Sequence, residues 1–123
     1  MLKMEEEMLF LCYPKCSTCK KAKKWMEEHN LEYTERHIAE ENPSYDELKE
    51  WYSASGLLLK KFFNTSGVLY KEMKLKDKLP QMSEEEQLEL LASNGMLVKR
   101  PILVKDGRVL VGFKENEWEG LLG

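Results

Sequence analysis

Tyr13-Pro14-Lys15-Cys16-Ser17-Thr18-Cys19-Lys20 is the stretch on which the reading of this chain turns. The apolar run Met8-Leu9-Phe10-Leu11-Cys12 leads into it and a helical pattern leaves from Ser17, so Cys16 is expected where a strand turns into a helix. The first turn of a helix carries backbone N–H groups without intrahelical partners and a partial positive charge, which favour a thiolate over a thiol. Cys16 is therefore read as a nucleophile. Cys19 lies one turn on, near the same face, where its sulfur could close a short disulfide with Cys16, so it reads as the resolving thiol. Lys15 and Lys20 flank the pair and are expected to add to the field that lowers the Cys16 pKa. Two other readings compete. A C-x-x-C is half of a zinc site, but the remaining candidate ligands, Cys12, His29 and His37, form no second paired motif. Both cysteines could also be inert core residues, a reading that the positive flanks and the helix-start position oppose.

Working outward, the 123 residues suit a single domain, 1–123, with enough chain for a real core. A formal net charge of −3 gives no overall basic footprint, so no direct nucleic-acid binding is expected. Three cysteines, two of them in one C-x-x-C, do not make a secreted disulfide framework. The start, Met1 to Met8, has no apolar run of signal-peptide length, and no later run approaches a membrane span. The expectation is a cytoplasmic protein with no membrane contact, its first residues a frayed or extended terminus.

From Ser17 to Asn30, Cys19, Ala22, Trp25, Met26 and His29 recur at helical spacing, with Lys20, Lys21, Lys23 and Lys24 on the other side, a solvated face or a surface for an acidic partner. Leu31 to Ile38 is read as a second strand, parallel to the first across the helix. His37 has no evident partner in sequence. A helical insert spans about 44–96 and belongs to the same domain. Ser44 and Glu47 form a capping box for a helix with a Tyr45, Leu48, Trp51 and Tyr52 stripe that ends at Ser55-Gly56. Leu57 to Phe63 and Val68 to Lys76 are each expected to be a short helix, separated by the breaker Asn64-Thr65-Ser66-Gly67. Ser83 with Glu86 starts a further helix over Leu88, Leu91 and Ala92, stopped at Asn94-Gly95. Ile102-Leu103-Val104 and Val109-Leu110-Val111 flank Lys105-Asp106-Gly107-Arg108, an antiparallel hairpin signal, and Glu115 to Leu122 closes with a helix carrying Trp118, Leu121 and Leu122. The order β-α-β, insert, β-β-α makes an α/β fold, a mixed four-stranded sheet flanked by helices.

That order, with a C-x-x-C at the first strand-to-helix turn, resembles the thioredoxin-like (glutaredoxin-like) fold. The segments Tyr13 to Ala22, Asn64-Thr65-Ser66-Gly67, Leu97-Val98-Lys99-Arg100-Pro101-Ile102 and Val109-Leu110-Val111-Gly112 together resemble the arsenate reductase (ArsC)/Spx family from about Met8 onward. The resemblance implies that Cys16 is the nucleophile, that Arg100 belongs to the oxyanion site beside it, and that Pro101 is the proline held cis there. An Arg fork suits a tetrahedral oxyanion and stabilises a nearby thiolate; the competing reading of Arg100 is a surface ion pair. Lys15, Ser17, Thr18, Lys20, Arg100 and Pro101 are the candidate substrate-binding residues, with Cys16, Cys19 and Arg100 the candidate catalytic ones. Where the arsenate reductases have a Gly-Thr/Asn-Ser-Arg type anion loop this chain has Ser17-Thr18-Cys19-Lys20, and Ser66 stands where many members have an arginine. Both departures weigh against arsenate. The C-x-x-C is more like the Spx branch, whereas the middle helices are more like the reductase-like members.

Two functions follow from the resemblance. One is a thiol-disulfide oxidoreductase, arsenate reductase-like, acting on a small oxyanion or a disulfide. It binds no cofactor or metal and takes electrons from glutathione, glutaredoxin or thioredoxin. The other is an Spx-type redox-sensing transcriptional regulator that binds the C-terminal domain of the RNA polymerase α subunit. Cys12, with apolar neighbours, is expected to be buried and slow to alkylate.

Overall fold

The computed structural model describes residues 8–120, so the expectations for residues 1–7, Leu121 and Leu122 lie outside the described residues. The described chain forms two compact units, one of them Ile38–Lys99 and the other built from the segments up to His37 and from Arg100 onward.

The second of these holds the sheet. β1 (Met8–Cys12), β2 (Thr34–His37), β3 (Ile102–Lys105) and β4 (Arg108–Val111) lie in the order β2-β1-β3-β4. β1 pairs parallel with β2 and antiparallel with β3, so it is a central strand, and its nearly unbroken apolar sequence matches side chains buried on both faces. The register sets Phe10 opposite Glu35 and Cys12 opposite His37, so these four residues share one face of the sheet. β2 is shorter than the run Leu31–Ile38 read from sequence. The β3–β4 hairpin turns at Asp106 (φ 50°) and Gly107 (φ 78°), the two positive φ values that an Asp-Gly pair tolerates and a twisted hairpin requires.

α1 (Ser17–Glu28) follows β1 and buries Cys19, Ala22, Trp25 and Met26. It stops where Asn30 turns to φ 55°, a left-handed backbone for which asparagine is suited. His29, expected in the buried stripe, is instead exposed at the helix end, its ring 4.2 Å from that of Trp25. The stripe meets Phe10, Cys12, Leu103 and Trp118 in one apolar cluster. Trp118, from the short helix Glu115–Glu119, is fully buried, sets its ring edge-on to those of Phe10, Trp25 and Phe113, and donates its indole N–H to the Gly112 carbonyl at 3.1 Å. Burying a large apolar side chain of this cluster such as Phe10 or Met26 contributes about 1.5–3 kcal/mol.

The unit Ile38–Lys99 is helical: α2 (Tyr45–Ser55), α3 (Val68–Glu72), α4 (Leu75–Lys78) and α5 (Glu84–Ser93), with α6 the helix Glu115–Glu119 already described. Both expected capping boxes form, Ser44 with Glu47 and Ser83 with Glu86, each pair exchanging two bonds at 2.9–3.1 Å. Gly56 ends α2 at φ 70°. Leu57 to Phe63 forms a single tight 3-10 turn, Leu59–Phe62. The single helix expected over Val68–Lys76 is two, because Lys74 adopts φ 55°, which an uninterrupted right-handed helix cannot contain. Asn94 takes an extended backbone and its side chain caps a 3-10 turn, Gly95–Leu97. Among the described residues, no helix is long and apolar enough to cross a membrane.

Candidate active site

Cys16 occupies the N-cap of α1 with an extended backbone (φ −84°, ψ 125°). The turn is closed by its N–H bonding to the Tyr13 carbonyl at 2.9 Å and its carbonyl accepting from the Lys20 N–H at 3.1 Å. Pro14 and Lys15 are exposed in the turn, while Cys16 is half-buried against the apolar cluster. Ser17 is exposed and Thr18 half-buried at the open end of the helix.

Burial pushes the Cys16 thiol up, yet the net shift is downward. The Cys19 backbone N–H, the Cys19 side chain, the Thr18 backbone N–H and the Arg100 charge outweigh the burial. Lys15 and Lys20, expected from sequence to supply the field, are exposed to solvent, whereas Arg100 acts on Cys16 through its charge. Arg100 is half-buried, with its guanidinium carbon 5.1 Å from the centroid of the Tyr13 ring. The Arg100–Pro101 peptide is cis, and the buried Pro101 accepts the Gly112 N–H on its carbonyl at 2.8 Å.

Cys19 has the opposite environment. It is 2% exposed, and its sulfur accepts the Tyr13 N–H at 3.3 Å. Its thiol is held protonated, first by a side-chain hydrogen bond with Cys12 and then by burial. Cys12 is buried, as expected, but its thiol has a polar partner: it donates to Glu35 Oε2 at 3.3 Å, and Lys23 Nζ lies 3.1 Å from Glu35 Oε1. Burial pushes the Glu35 carboxyl up, but the Lys23 and Cys12 hydrogen bonds and the charges of Lys23 and His37 bring it below the usual carboxylate range. All three cysteines are free thiols.

Cys16, Cys19, Thr18 and Arg100 are thus brought together, and Lys15, Ser17 and Lys20 border them in sequence on the solvent side. Sequence reasoning did not single out Tyr13, Lys23 or Glu35, and left His37 without a partner; its ring stands edge-on to Tyr13 with centroids 5.6 Å apart. One signal was present: Lys23 is four residues after Cys19, on the same side of α1. The parallel register that brings Glu35 under Cys12 has no such local signature.

A half-buried thiol at a strand-to-helix turn, a buried thiol one turn on, and a cis proline at the entry to the adjoining antiparallel strand are set in a thioredoxin-like fold. The chain belongs to the ArsC family, whose model matches residues 11–121. It is 62% identical over 112 residues to the uncharacterised protein YusI of Bacillus subtilis (strain 168), covering 91% of this chain and 95% of that one. It is 34% identical over 104 residues to the global transcriptional regulator Spx 1 of Oceanobacillus iheyensis, covering 85% of this chain and 78% of that one. Among solved structures it is similar to an ArsC family related protein from Bacteroides fragilis, with a TM-score of 0.91 and 64% identity over 93% of this chain and 96% of that one. It is also similar to the arsenate reductase from Vibrio cholerae, with a TM-score of 0.80 and 26% identity over 95% of this chain and 96% of that one.

Proposed function

We propose that this chain is a thiol-disulfide oxidoreductase of the cytoplasm, with Cys16 as nucleophile and Cys19, or glutathione, resolving the covalent intermediate. The observation that carries this is the opposed state of the two thiols: Cys16 is biased toward thiolate at the mouth of the turn, and Cys19 is kept as a thiol beneath it. The Cys16 thiolate attacks one sulfur of a disulfide, the S–S bond breaks, and the departing sulfur leaves with the bonding pair. Cys19 then attacks the Cys16 sulfur, releases the second thiol and closes Cys16–Cys19, so a substrate disulfide gains the two electrons that the protein dithiol loses. Glutathione, glutaredoxin or thioredoxin restores the dithiol. Arg100 holds the developing negative charge, and Lys15, Ser17, Thr18, Lys20 and Pro101 border the substrate. A disulfide or a glutathione mixed disulfide suits this site better than arsenate, because Lys20 offers a point charge where the arsenate reductases present a forked guanidinium.

NADPH consumption tests the proposal, with a glutathione mixed disulfide when glutathione and glutathione reductase are supplied without glutaredoxin, which reduces that substrate by itself, and separately with arsenate when glutaredoxin is added. Turnover with the mixed disulfide that Cys16→Ser abolishes is expected; turnover retained in that variant overturns the role of Cys16.

A second reading rests on the likeness to Spx 1 together with the C-x-x-C pair. Here the Cys16–Cys19 disulfide forms stoichiometrically and changes a surface that binds the RNA polymerase α C-terminal domain. Absence of turnover, with recovery of that domain by the chain in one redox state only, would favour it. Recovery in neither state rules it out.

A further inference from the structure

Cys19 must lose a proton to act, yet it is 2% exposed, its sulfur accepts the Tyr13 N–H, and its thiol bonds the Cys12 and Cys16 side chains. Once Cys16 is bonded in a mixed disulfide it cannot take that proton, and the remaining polar route among the described residues leads through Cys12. Cys19 meets the Cys12 sulfur, the Cys12 thiol donates to Glu35 Oε2 at 3.3 Å, and the Glu35 side chain, held by Lys23 at 3.1 Å, is 37% exposed. β1 supplies Cys12, β2 supplies Glu35 and α1 supplies both Cys19 and Lys23, so three rigid elements fix the chain of contacts.

We propose that Cys12 and Glu35 form a proton relay that deprotonates Cys19 during resolution, with Glu35 as the base that opens to solvent. This rests on the proposed roles of Cys16 and Cys19. As the Cys19 sulfur bonds to the Cys16 sulfur of a mixed disulfide, its proton passes to the Cys12 sulfur and the Cys12 proton passes to Glu35. The Cys16–substrate S–S bond breaks, and the leaving sulfur takes the electron pair. Glu35 then gives its proton to water, restoring the relay. The groups facing it are Lys23, which keeps Glu35 ionised between turnovers, His37 and Tyr33 on β2 and its approach, and Cys12 itself. Cys12 is in this reading a proton carrier and forms no disulfide.

The reduced full chain mixed with an aromatic disulfide, 5,5′-dithiobis(2-nitrobenzoate), releases one thionitrobenzoate when Cys16 attacks and a second when Cys19 resolves. The two releases, followed by stopped flow, separate the two claims. Absence of the first release means that Cys16 is not the nucleophile. With the first release present, Glu35→Gln and Cys12→Ala are each expected to slow the second relative to the first by on the order of 10²-fold, the usual worth of a positioned base. Cys12→Ser, which keeps a group able to accept and pass a proton, is expected to recover most of that loss. In the unsubstituted chain the second rate is expected to be flat above the carboxylate range. In Glu35→Gln it is expected to rise about tenfold per pH unit, as direct attack by hydroxide requires. A second release of unchanged relative rate and pH profile in both Glu35→Gln and Cys12→Ala overturns the relay.

Discussion

The guanidinium carbon of Arg100 lies 5.1 Å from the centroid of the Tyr13 ring, so a residue two positions before β3 is stacked on the residue that leaves β1. The same Tyr13 donates its N–H to Cys19 and offers its carbonyl to Cys16. One residue thereby touches the Cys19 sulfur, the Cys16 backbone and the cation whose charge lowers the Cys16 pKa. A cation over an aromatic face is worth about 0.5–1 kcal/mol at an exposed site and more where water is excluded.

Replacing Arg100 should therefore raise the Cys16 pKa. Arg100→Ala is expected to shift the pH profile of Cys16 alkylation upward, and Arg100→Lys to shift it less, because the charge is kept while the planar stack is lost. Tyr13→Leu should move it in the same direction by freeing the guanidinium. The check is the rate of iodoacetamide labelling against pH in a background where Cys12 and Cys19 are serine. An unmoved profile in Arg100→Ala would show that the helix N–H groups alone set the thiolate.

The Glu35 carboxyl titrates below its usual range in the fold, so the folded chain binds fewer protons there than the unfolded chain. The resulting stabilisation is complete above the unfolded value of about 4.3 and is lost as pH falls through the lower folded value. Glu35→Gln removes it. The gap in melting temperature between the native chain and Glu35→Gln is expected to be largest near neutral pH and to close in strong acid. A gap of constant size across that span would mean that the Lys23–Glu35 pair contributes nothing that depends on charge.

Trp118 is fully buried among Phe10, Trp25 and Phe113 and bonds the Gly112 carbonyl. Trp118→Ala empties that space and is expected to cost about 3–5 kcal/mol. Trp118→Phe keeps much of the ring contact but strands the carbonyl, at a cost of about 1–3 kcal/mol. Urea unfolding midpoints at unchanged slope measure both. Equal losses in the two variants would assign the stability to the hydrogen bond rather than to packing.

Local chemistry alone determined a good deal of this protein. The apolar run into Cys16, the capping residues Ser44 and Ser83, the Asp106-Gly107 turn and the stripe Cys19, Ala22, Trp25 and Met26 each depend on neighbours within a few residues, so the elements and the strand-to-helix placement of Cys16 could be read directly from the sequence. The break at Lys74 could not, because a lysine carries no local preference for a left-handed backbone. The polar chain from Cys19 through Cys12 to Glu35 and Lys23, and the stack of Arg100 on Tyr13, were decided only by tertiary structure. Cys12 and Glu35 are twenty-three positions apart and meet because β1 and β2 run parallel in one register; a shift of one residue would turn Glu35 to the opposite face.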